Sequence, residues 1–518
     1  MTAAIRARAA EAPDDVALVD DSGTRTWAEL SADLGRAAGA LLAEAGGPEQ
    51  RVSVLGENAI PTIEAHAAAL TVGVGTVATS RQLRAAELTD QYGDAGVVCA
   101  VTGPSSLAEV REAAKNAGVR TVVVHGTVNG TAADGDTVTW EDWLGTAPPV
   151  PPEAGRRPPR PLLVYTSGTT GRARGAEVRW TLRLPETAED YVAAITQESG
   201  FPPGPHLVVG PLQHNAPLTA LRHLLGGHPV IILGRFDPER ILQLIERHRV
   251  TSSVFVPTHM QRLLALPDEV RAKYDVSSMH AVSQTGSACP AETKLAMIEW
   301  FGPIFVESYG GSESGTLCRI DSHEWLTHRG SVGRPRPPYE VVVLGDQNEP
   351  LPPGQVGILA FRAPEGRGPR YHADPEKTAK AYLAPGVFTL GDVGYVDQDG
   401  YVYITDRAAD LVVSGGVNLY PAESEKVLVR HPAVAEVAVI GVPDRDLGET
   451  LLALVVPVDP DGPPEPGELE AFGREHLAPY KVPRRYEFRR ELEYNAMGKL
   501  DKKAMRAPYW STQRTIAG

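Results

Sequence analysis

Apolar residues recur at helical spacing from Thr26 onward. Trp27, Leu30, Leu34, Ala38, Leu41 and Leu42 fall on one face, and Gly46-Gly47 ends the run. Short apolar or β-branched stretches then alternate with helical segments. Arg51 to Leu55, Val97 to Val101 and Val119 to Val124 read as strands, with a small-residue helix over Ala65 to Val72. Leu207 to Val209, Val230 to Leu233, Ser253 to Val256 and Phe305 to Tyr309 continue the strand series, and Arg240 to Arg247 and Ala291 to Trp300 the helices. Strands that are apolar throughout and separated by helices predict parallel sheets covered on both faces. After Tyr309 the rhythm changes. Val341 to Leu344, Gly357 to Phe361 and Tyr401 to Thr405 are strands divided by Pro/Gly turns, which predicts an antiparallel, barrel-like module. From Leu411 a smaller unit begins, with strands at Leu411 to Val413, Val434 to Val442 and Leu451 to Val458 and a helix over Glu468 to Leu477. The expected fold is α/β, with parallel sheets, a β-barrel-like module and a smaller α/β unit at the C-terminal end.

Between Pro148 and Pro161 lie seven prolines and three arginines. Proline fixes φ and donates no backbone hydrogen bond, so this stretch reads as a stiff connector. It delivers the chain to Leu162-Leu163-Val164 and then to Tyr165-Thr-Ser-Gly-Thr-Thr-Gly-Arg-Ala-Arg-Gly175. A strand feeding a loop of small and hydroxylic residues can turn backbone N–H groups and hydroxyls onto phosphate oxygens. The loop lacks the Lys-Ser/Thr that ends a Walker motif.

Composition narrows the function classes. A chain of 518 residues accommodates two or more domains, and a formal net charge of −15 argues against a nucleic-acid surface. Cys99, Cys289 and Cys318 are too far apart for a CxxC pair and cannot all bond one another, which fits a reducing compartment. The 14 histidines form no HExxH motif, and no apolar run reaches the 18 residues of a membrane span. No apolar signal core stands near Met1 to Asp20, so the expected location is cytoplasmic.

Other loops carry candidate chemistry. Glu313, in Tyr309-Gly-Gly-Ser-Glu313-Ser-Gly315, stands just past the end of a strand, where open α/β sheets place ligands. Asp392, in Gly391-Asp392-Val-Gly394, could cap local backbone or accept two hydrogen bonds from a ribose. Asp406-Arg407 follows a strand, Gly415-Gly416 precedes Tyr420-Pro421, and Asn495-Ala-Met-Gly498-Lys499 is a turn bearing a lysine.

In this order and spacing, these loops closely resemble the adenylate-forming superfamily of acyl- and aryl-CoA synthetases, peptide-synthetase adenylation domains and firefly luciferase. The resemblance runs from about Thr26 to Trp510. Tyr371-His-Ala-Asp-Pro-Glu-Lys-Thr378 and Ser414-Gly-Gly-Val-Asn-Leu-Tyr-Pro-Ala422 are most similar to the fatty-acyl or aryl-CoA ligase branch. It implies a large N-terminal domain of stacked α/β sheets over residues 1–407 that binds ATP and the acid, a hinge, and a small mobile α+β C-terminal domain over residues 408–518. It implies ATP-dependent activation of a carboxylic acid as acyl-adenylate, with pyrophosphate release, then transfer to CoA. The partners are a small-molecule acid, ATP and CoA, with Mg²⁺ as cofactor, and a homodimer is compatible.

Carried over residue by residue, Thr166, Ser167, Gly168, Thr169, Thr170 and Gly171 would hold the β/γ-phosphates, with Arg174 adding charge. Glu313 would bind Mg²⁺. Tyr309, Gly310 and Ser312 would border the nucleotide, alongside the Gly286-Ser287-Ala288 turn at the adenine. Asp392 would take the ribose hydroxyls, with Arg407 nearby, and Lys499 would reach the α-phosphate and carboxylate. His214 would close the carboxylate pocket, with Gln213, Asn215, Gln284 and Gly311 around the acid. Gly415 and Gly416 would border the thiol tunnel.

The departures are informative. The family's Pro-Lys-Gly is Ala173-Arg174-Gly175, and Arg keeps the charge as a planar fork. Ala409 stands where an Asp or Lys hinge residue is usual, which removes a charge that would bias domain orientation. Gln213, Asn215 and Gln284-Thr285 make the acid side more polar than a fatty-acyl pocket needs. They predict a smaller or more polar substrate, such as an aryl or amino-aryl acid. A non-CoA acceptor stays open, either a carrier protein or, in a nitrite-activating ATP-dependent diazotase, an aromatic amine.

Overall fold

The structure, a computed structural model, describes residues 2–126, 137–166, 174–181, 183–197, 200–286, 289, 291–345, 347–364, 367–407, 412–419, 421–493 and 502–510. Two large sheets dominate. In one, the strands run Thr137–Thr139, Thr121–Val124, Val97–Thr102, Arg51–Leu55, Gly75–Thr79, Leu162–Thr166 and Arg174–Val178, parallel except for the last pair. The other is nine-stranded. Its parallel centre is Phe305–Gly311, Ala281–Gln284, Ser252–Phe255, His206–Val208, Val230–Ile232 and Val16–Asp20, and antiparallel strands close both ends.

The helices Trp27–Ala45 and Ile60–Thr71 lie between these sheets. One apolar core joins Leu30, Leu34 and Ile63 to Val52, Val54 and Val164 of the first sheet and Leu18, Val208 and Ile232 of the second. The opposite face of the first sheet packs Leu55, Val77 and Leu163 on Tyr92 and Val110. The opposite face of the second packs Leu207, Phe255 and Val282 on Ile241, Ile245 and Met297. Each inner strand is thus buried on both faces, which is why its sequence reads apolar without alternation. Thr26 caps the first of these helices in a reciprocal box with Glu29. Fully buried leucines such as Leu30 each contribute about 1.5–3 kcal/mol.

The proline stretch is more than a spacer. It packs onto the Trp27–Ala45 helix, where a Cβ on Gly39 would lie 2.0 Å from the Pro148 carbonyl oxygen. Arg160 donates to the Gly47 carbonyl at 3.0 Å, so the arginines tie the strap to the loop that follows the helix. The barrel-like module is a five-stranded antiparallel sheet of Glu340–Leu344, Gly357–Arg362, Val387–Val396, Tyr382–Ala384 and Val402–Arg407 around Phe361 and Phe388. The smaller C-terminal domain is built on a sheet of Val412–Ser414, Val417–Leu419, Gly448–Pro457, Val434–Asp444 and Arg485–Phe488. The helices Pro421–Leu428 and Pro466–His476 pack on one face, with Leu428 and Leu469 buried there. Among the described residues, no helix is long and apolar enough to cross a membrane.

Candidate active site

A cavity of about 1380 Å³ opens where the strands of both large sheets end, and the C-terminal domain forms part of its wall. Its position is the one expected for open α/β sheets, outside the carboxyl ends of parallel strands. Tyr309, Gly310, Gly311, Ser312, Glu313 and Asp392 all line it.

The strand Phe305–Gly311 carries Tyr309 and then turns through Ser312 to Ser314 into Gly315–Asp321. This turn needs its glycines. A Cβ on Gly310 would lie 1.9 Å from the Gly315 carbonyl oxygen, and Gly315 has φ +70°. Tyr309 donates its hydroxyl to Asp392 Oδ2 at 2.5 Å, and Asp392 is 2% exposed. In the antiparallel register Asp392 faces Arg407, so the backbone sets these two side by side. Glu313 sits in the turn, and Tyr371 donates to its Oε1 at 3.1 Å. Below Tyr309, Glu307 pairs with fully buried Lys294 at 2.6 Å, and the ammonium lies 4.6 Å from the Trp325 ring centroid. That pair locks the strand beneath the tyrosine.

The chain enters the glycine-rich segment from Leu162–Thr166 and leaves it in Arg174–Val178. These strands are antiparallel, with Thr166 opposite Arg174. Both ends are anchored. Tyr165 donates to Asp94 at 2.6 Å, and the Gly175 carbonyl accepts from the His372 N–H at 2.7 Å. An isolated bridge pairs Ala176 with Tyr371. Tyr371 therefore connects the base of this segment to Glu313. Ser167, Gly168, Thr169, Thr170, Gly171, Ser287, Ala288 and Lys499 lie outside the described residues, as do the side chains of Thr166, Arg174 and Arg407.

Gln213, His214 and Asn215 also line the cavity. Trp180 donates its indole N–H to Asn215 Oδ1 at 3.0 Å. Enclosure by protein pushes the His214 imidazole down to about 4, so it is neutral at pH 7. Gln284 does not join them. It is fully buried in the central sheet, between Phe255 and Glu307 in register, and Thr285 and Gly286 reach the cavity instead. Strand alternation accounts for this: one residue along, the side chain changes face. Gly286 has φ +94°, and a Cβ there would crowd Val256 at 3.1 Å.

Gly415 and Gly416 form the turn between Val412–Ser414 and Val417–Leu419, and both line the cavity. In the same domain Leu492 and Met505 pack together against Ala438, Ile440 and Leu454. Three residues with roles here were not singled out for them in the sequence. Tyr371 appears only within a branch signature, while Trp180 and Asp94 are distant in sequence from the residues they bond. Away from the cavity lining, His328, Asp397 and Asp399 bring potential metal-ligand atoms within 4.8 Å of one another, a juxtaposition that no sequence spacing reveals.

Comparison with known proteins agrees with this architecture. The AMP-binding enzyme model matches residues 5–369, and the AMP-binding enzyme C-terminal domain matches residues 423–499. The chain belongs to the AMP-binding enzyme family, within the adenylate-forming superfamily. A feruloyl-CoA synthase from Amycolatopsis sp. is 34% identical over 507 residues, covering 96% of this chain and 97% of that protein. An amide bond synthetase from Marinactinospora thermotolerans superposes with TM-score 0.82 at 29% identity, covering 98% of this chain and all (100%) of that one. The o-succinylbenzoate CoA synthetase of Bacillus subtilis, bound with its product analogue OSB-NCoA, matches with TM-score 0.79 at 27% identity and 97% coverage of both chains. The same enzyme with its acyl-adenylate intermediate matches at TM-score 0.62 and 26% identity, over 99% of both chains.

Proposed function

We propose that this enzyme activates a carboxylic acid with ATP and transfers the acyl group to CoA. The observation that carries the reading is a single cavity lined both by Tyr309, Glu313 and Asp392 of the larger domain and by Gly415-Gly416 of the smaller one. In the first step an acid oxygen attacks the α-phosphorus of ATP, the bond to the bridging oxygen breaks, and pyrophosphate leaves. In the second the thiol sulfur attacks the acyl carbon, the bond to AMP breaks, AMP leaves with the electron pair, and the thiol proton passes to solvent.

Asp392, held by Tyr309, would accept the ribose hydroxyls, and Arg407 would stand beside it. Gly286, Ser287, Ala288 and Gly310 would form the adenine slot with Tyr309. Thr166 to Gly171 and Arg174 would grip the β/γ-phosphates. A carboxylate whose other neighbours are phosphate oxygens suits Mg²⁺, which keeps several waters and takes few protein ligands. Glu313 would hold that ion, and its chemistry is charge neutralisation on the phosphates. Neutral His214 would close the carboxylate pocket without adding charge, with Gln213, Asn215 and Gly311 around the acid. Lys499 would stabilise charge growing at the α-phosphate.

The boundary between the domains falls, in this reading, at residues 407 and 408. In this reading the described arrangement is the acyl-transfer orientation, which is supported by Gly415-Gly416 lining the cavity and by a closer match to the product-analogue complex than to the acyl-adenylate complex. The polar wall of Gln213, Asn215 and Trp180 favours an aryl or amino-aryl acid. It also supports a second reading, an amine rather than CoA as acceptor, including nitrite activation for an aromatic amine. Buried, unpaired Cys99, Cys289 and Cys318 support a cytoplasmic location. A screen of carboxylates and nitrite by pyrophosphate release, with and without CoA or an arylamine, tests these readings. Aryl acids with CoA should give the fastest turnover. Preference for long-chain fatty acids would refute the substrate class, and amide or diazo product formed without CoA would replace CoA as acceptor.

A further inference from the structure

Among the described residues, a buried ion pair crosses between the two domains. Lys481 lies in the 3-10 turn Pro479–Lys481 of the C-terminal domain and is 9% exposed. Its ammonium sits 3.0 Å from Glu87 Oε1, on the helix Ala85–Ala95 of the N-terminal domain. It also sits 3.0 Å from Glu423 Oε2, within its own domain. Burial alone would push this ammonium's pKa down, but Tyr480, Glu423 and Glu87 more than offset it and the net shift is upward. Beside Lys481, Tyr480 is hydrogen-bonded to Ser80 of the N-terminal domain, and two further links lie nearer solvent. Arg84 donates to the Arg474 carbonyl at 3.1 Å, and Arg262 pairs with Asp446 at 3.2 Å with both side chains well exposed.

We infer that Lys481 and Glu87 form a latch that holds the C-terminal domain in the acyl-transfer orientation, and that adenylation requires it to open. Lys481 is thus a positioning residue. It acts by fixing Gly415-Gly416 against the cavity, where the Gly416 carbonyl oxygen lies 3.8 Å from the Cβ position of Gly286. The asymmetry of the triad suits a latch. Glu423 travels with Lys481 when the domain moves, so the ammonium is never left buried and unpaired, which would be strongly unfavourable. Glu87 is left behind, but it keeps its second hydrogen bond, accepting from the Arg84 N–H at the start of its helix at 3.1 Å. Opening therefore breaks one charged hydrogen bond and orphans neither partner. The latch also offers an alternative source of orientational bias in a chain with Ala409 at the hinge position.

This inference rests on the orientation assigned above, and the test separates the two. Glu87→Gln keeps an acceptor for the helix start and removes the charge. Pyrophosphate release from acid and ATP, transfer from preformed acyl-adenylate to CoA, and interdomain distance by fluorescence energy transfer are measured in the wild-type, E87Q, K481Q and K481R enzymes. E87Q should slow transfer roughly tenfold, the size expected for losing one charged hydrogen bond, and K481Q, which removes the ammonium from both carboxylates, at least as much. They should leave pyrophosphate release unchanged or faster, and move the distance distribution away from the wild-type population. K481R should restore transfer. An equal fall in both half-reactions, or an unchanged distance distribution in E87Q, would overturn the latch. A loss in K481Q that comes from unfolding of the domain is told apart by E87Q, which leaves the Lys481–Glu423 pair intact and is the deciding variant. Wild-type enzyme that releases pyrophosphate but acylates no CoA would refute the acceptor reading alone, because the distance shift in E87Q still reports the latch.

Discussion

The two walls of the cavity are held by different physics. On the N-terminal wall the functional side chains are braced by one another. Tyr309 bonds Asp392 at 2.5 Å, Tyr371 bonds Glu313 at 3.1 Å, and Lys294 and Glu307 lock the strand beneath. On the C-terminal wall the glycine turn is held in place from outside, through Lys481, Arg84 and Arg262 at the domain border. A braced wall suits groups that must already point at charge as it develops, because no reorganisation is then needed. A wall held by a few charged contacts suits a surface that must be withdrawn and replaced within one turnover. Substitutions on the first wall should therefore reduce chemistry, and those on the second should alter only the balance between orientations.

The largest effect is expected at Asp392. Asp392→Asn removes the charge that accepts from Tyr309 and, in our reading, from the ribose. Pyrophosphate release should fall about 10²-fold, largely through weaker ATP use, while the folded state survives. Steady-state kinetics with ATP varied checks this. A loss confined to acyl transfer would place Asp392 on the wrong side of the comparison.

Acid should reach the braced half through its histidines. His66, His206 and His223 are buried and neutral in the fold, with His66 pushed to about 3, His206 well below its ordinary value and His223 to about 4, in each case chiefly by burial. Because the folded pKa is depressed, their contribution is fully present above the unfolded value near 6.5 and is lost as pH falls below it. Each costs roughly 1.4 kcal/mol per pH unit between 6.5 and its folded pKa. Denaturant melts from pH 7.5 to 4.5 should show a steep decline, and His66→Asn, which can still bond Thr76, should flatten it. Equal slopes in the two proteins would mean that the acid sensitivity lies elsewhere.

Much of this was legible in the sequence, for identifiable reasons. Strands buried on both faces announce themselves as unbroken apolar runs, so Val97 to Val101 and Val230 to Leu233 were readable. The fixed order of residue types from Tyr309 to Glu313 singled out a loop that the fold brings to the cavity. Gln284 was misread because neighbouring residues in a strand point to opposite faces and the sequence does not say which face meets the cavity. The Tyr371–Glu313 and Trp180–Asn215 bonds join residues far apart in the chain, and no local pattern encodes them. The same holds for Lys481, an ordinary lysine until the fold sets it between two carboxylates.

Tyr371→Phe tests how far the bracing matters. It removes one hydroxyl from Glu313 Oε1 and leaves the ring under the Lys377 ammonium, 3.9 Å from its centroid. A single hydrogen bond to a charged group at this depth is worth about 1.5 kcal/mol, so pyrophosphate release should drop roughly tenfold with little change in melting temperature. The effect should shrink at high Mg²⁺ if the hydroxyl serves to aim the carboxylate. A loss insensitive to Mg²⁺ would show that Tyr371 acts through the Gly175 backbone instead.

The smallest effect should come from the outer rim of the C-terminal wall, at Arg262→Ala. Arg262 and Asp446 are close, but their side chains are 41% and 66% exposed, so water and salt screen the pair. Exposed pairs of this kind contribute about 0.2–1 kcal/mol, and holding two long side chains in one geometry offsets part of that. The guanidinium also lies over the Phe236 ring, 5.3 Å from its centroid, so Arg262 has a second reason to stay where it is without Asp446. Acyl transfer should change by no more than about twofold, and the change should vanish at high ionic strength, where the Debye length falls to a few ångströms. Asp446→Asn should match it. If Arg262→Ala instead slowed transfer as much as Glu87→Gln, the C-terminal wall would be held by its summed surface charge. Burial would then not be what distinguishes Lys481 from the other border contacts.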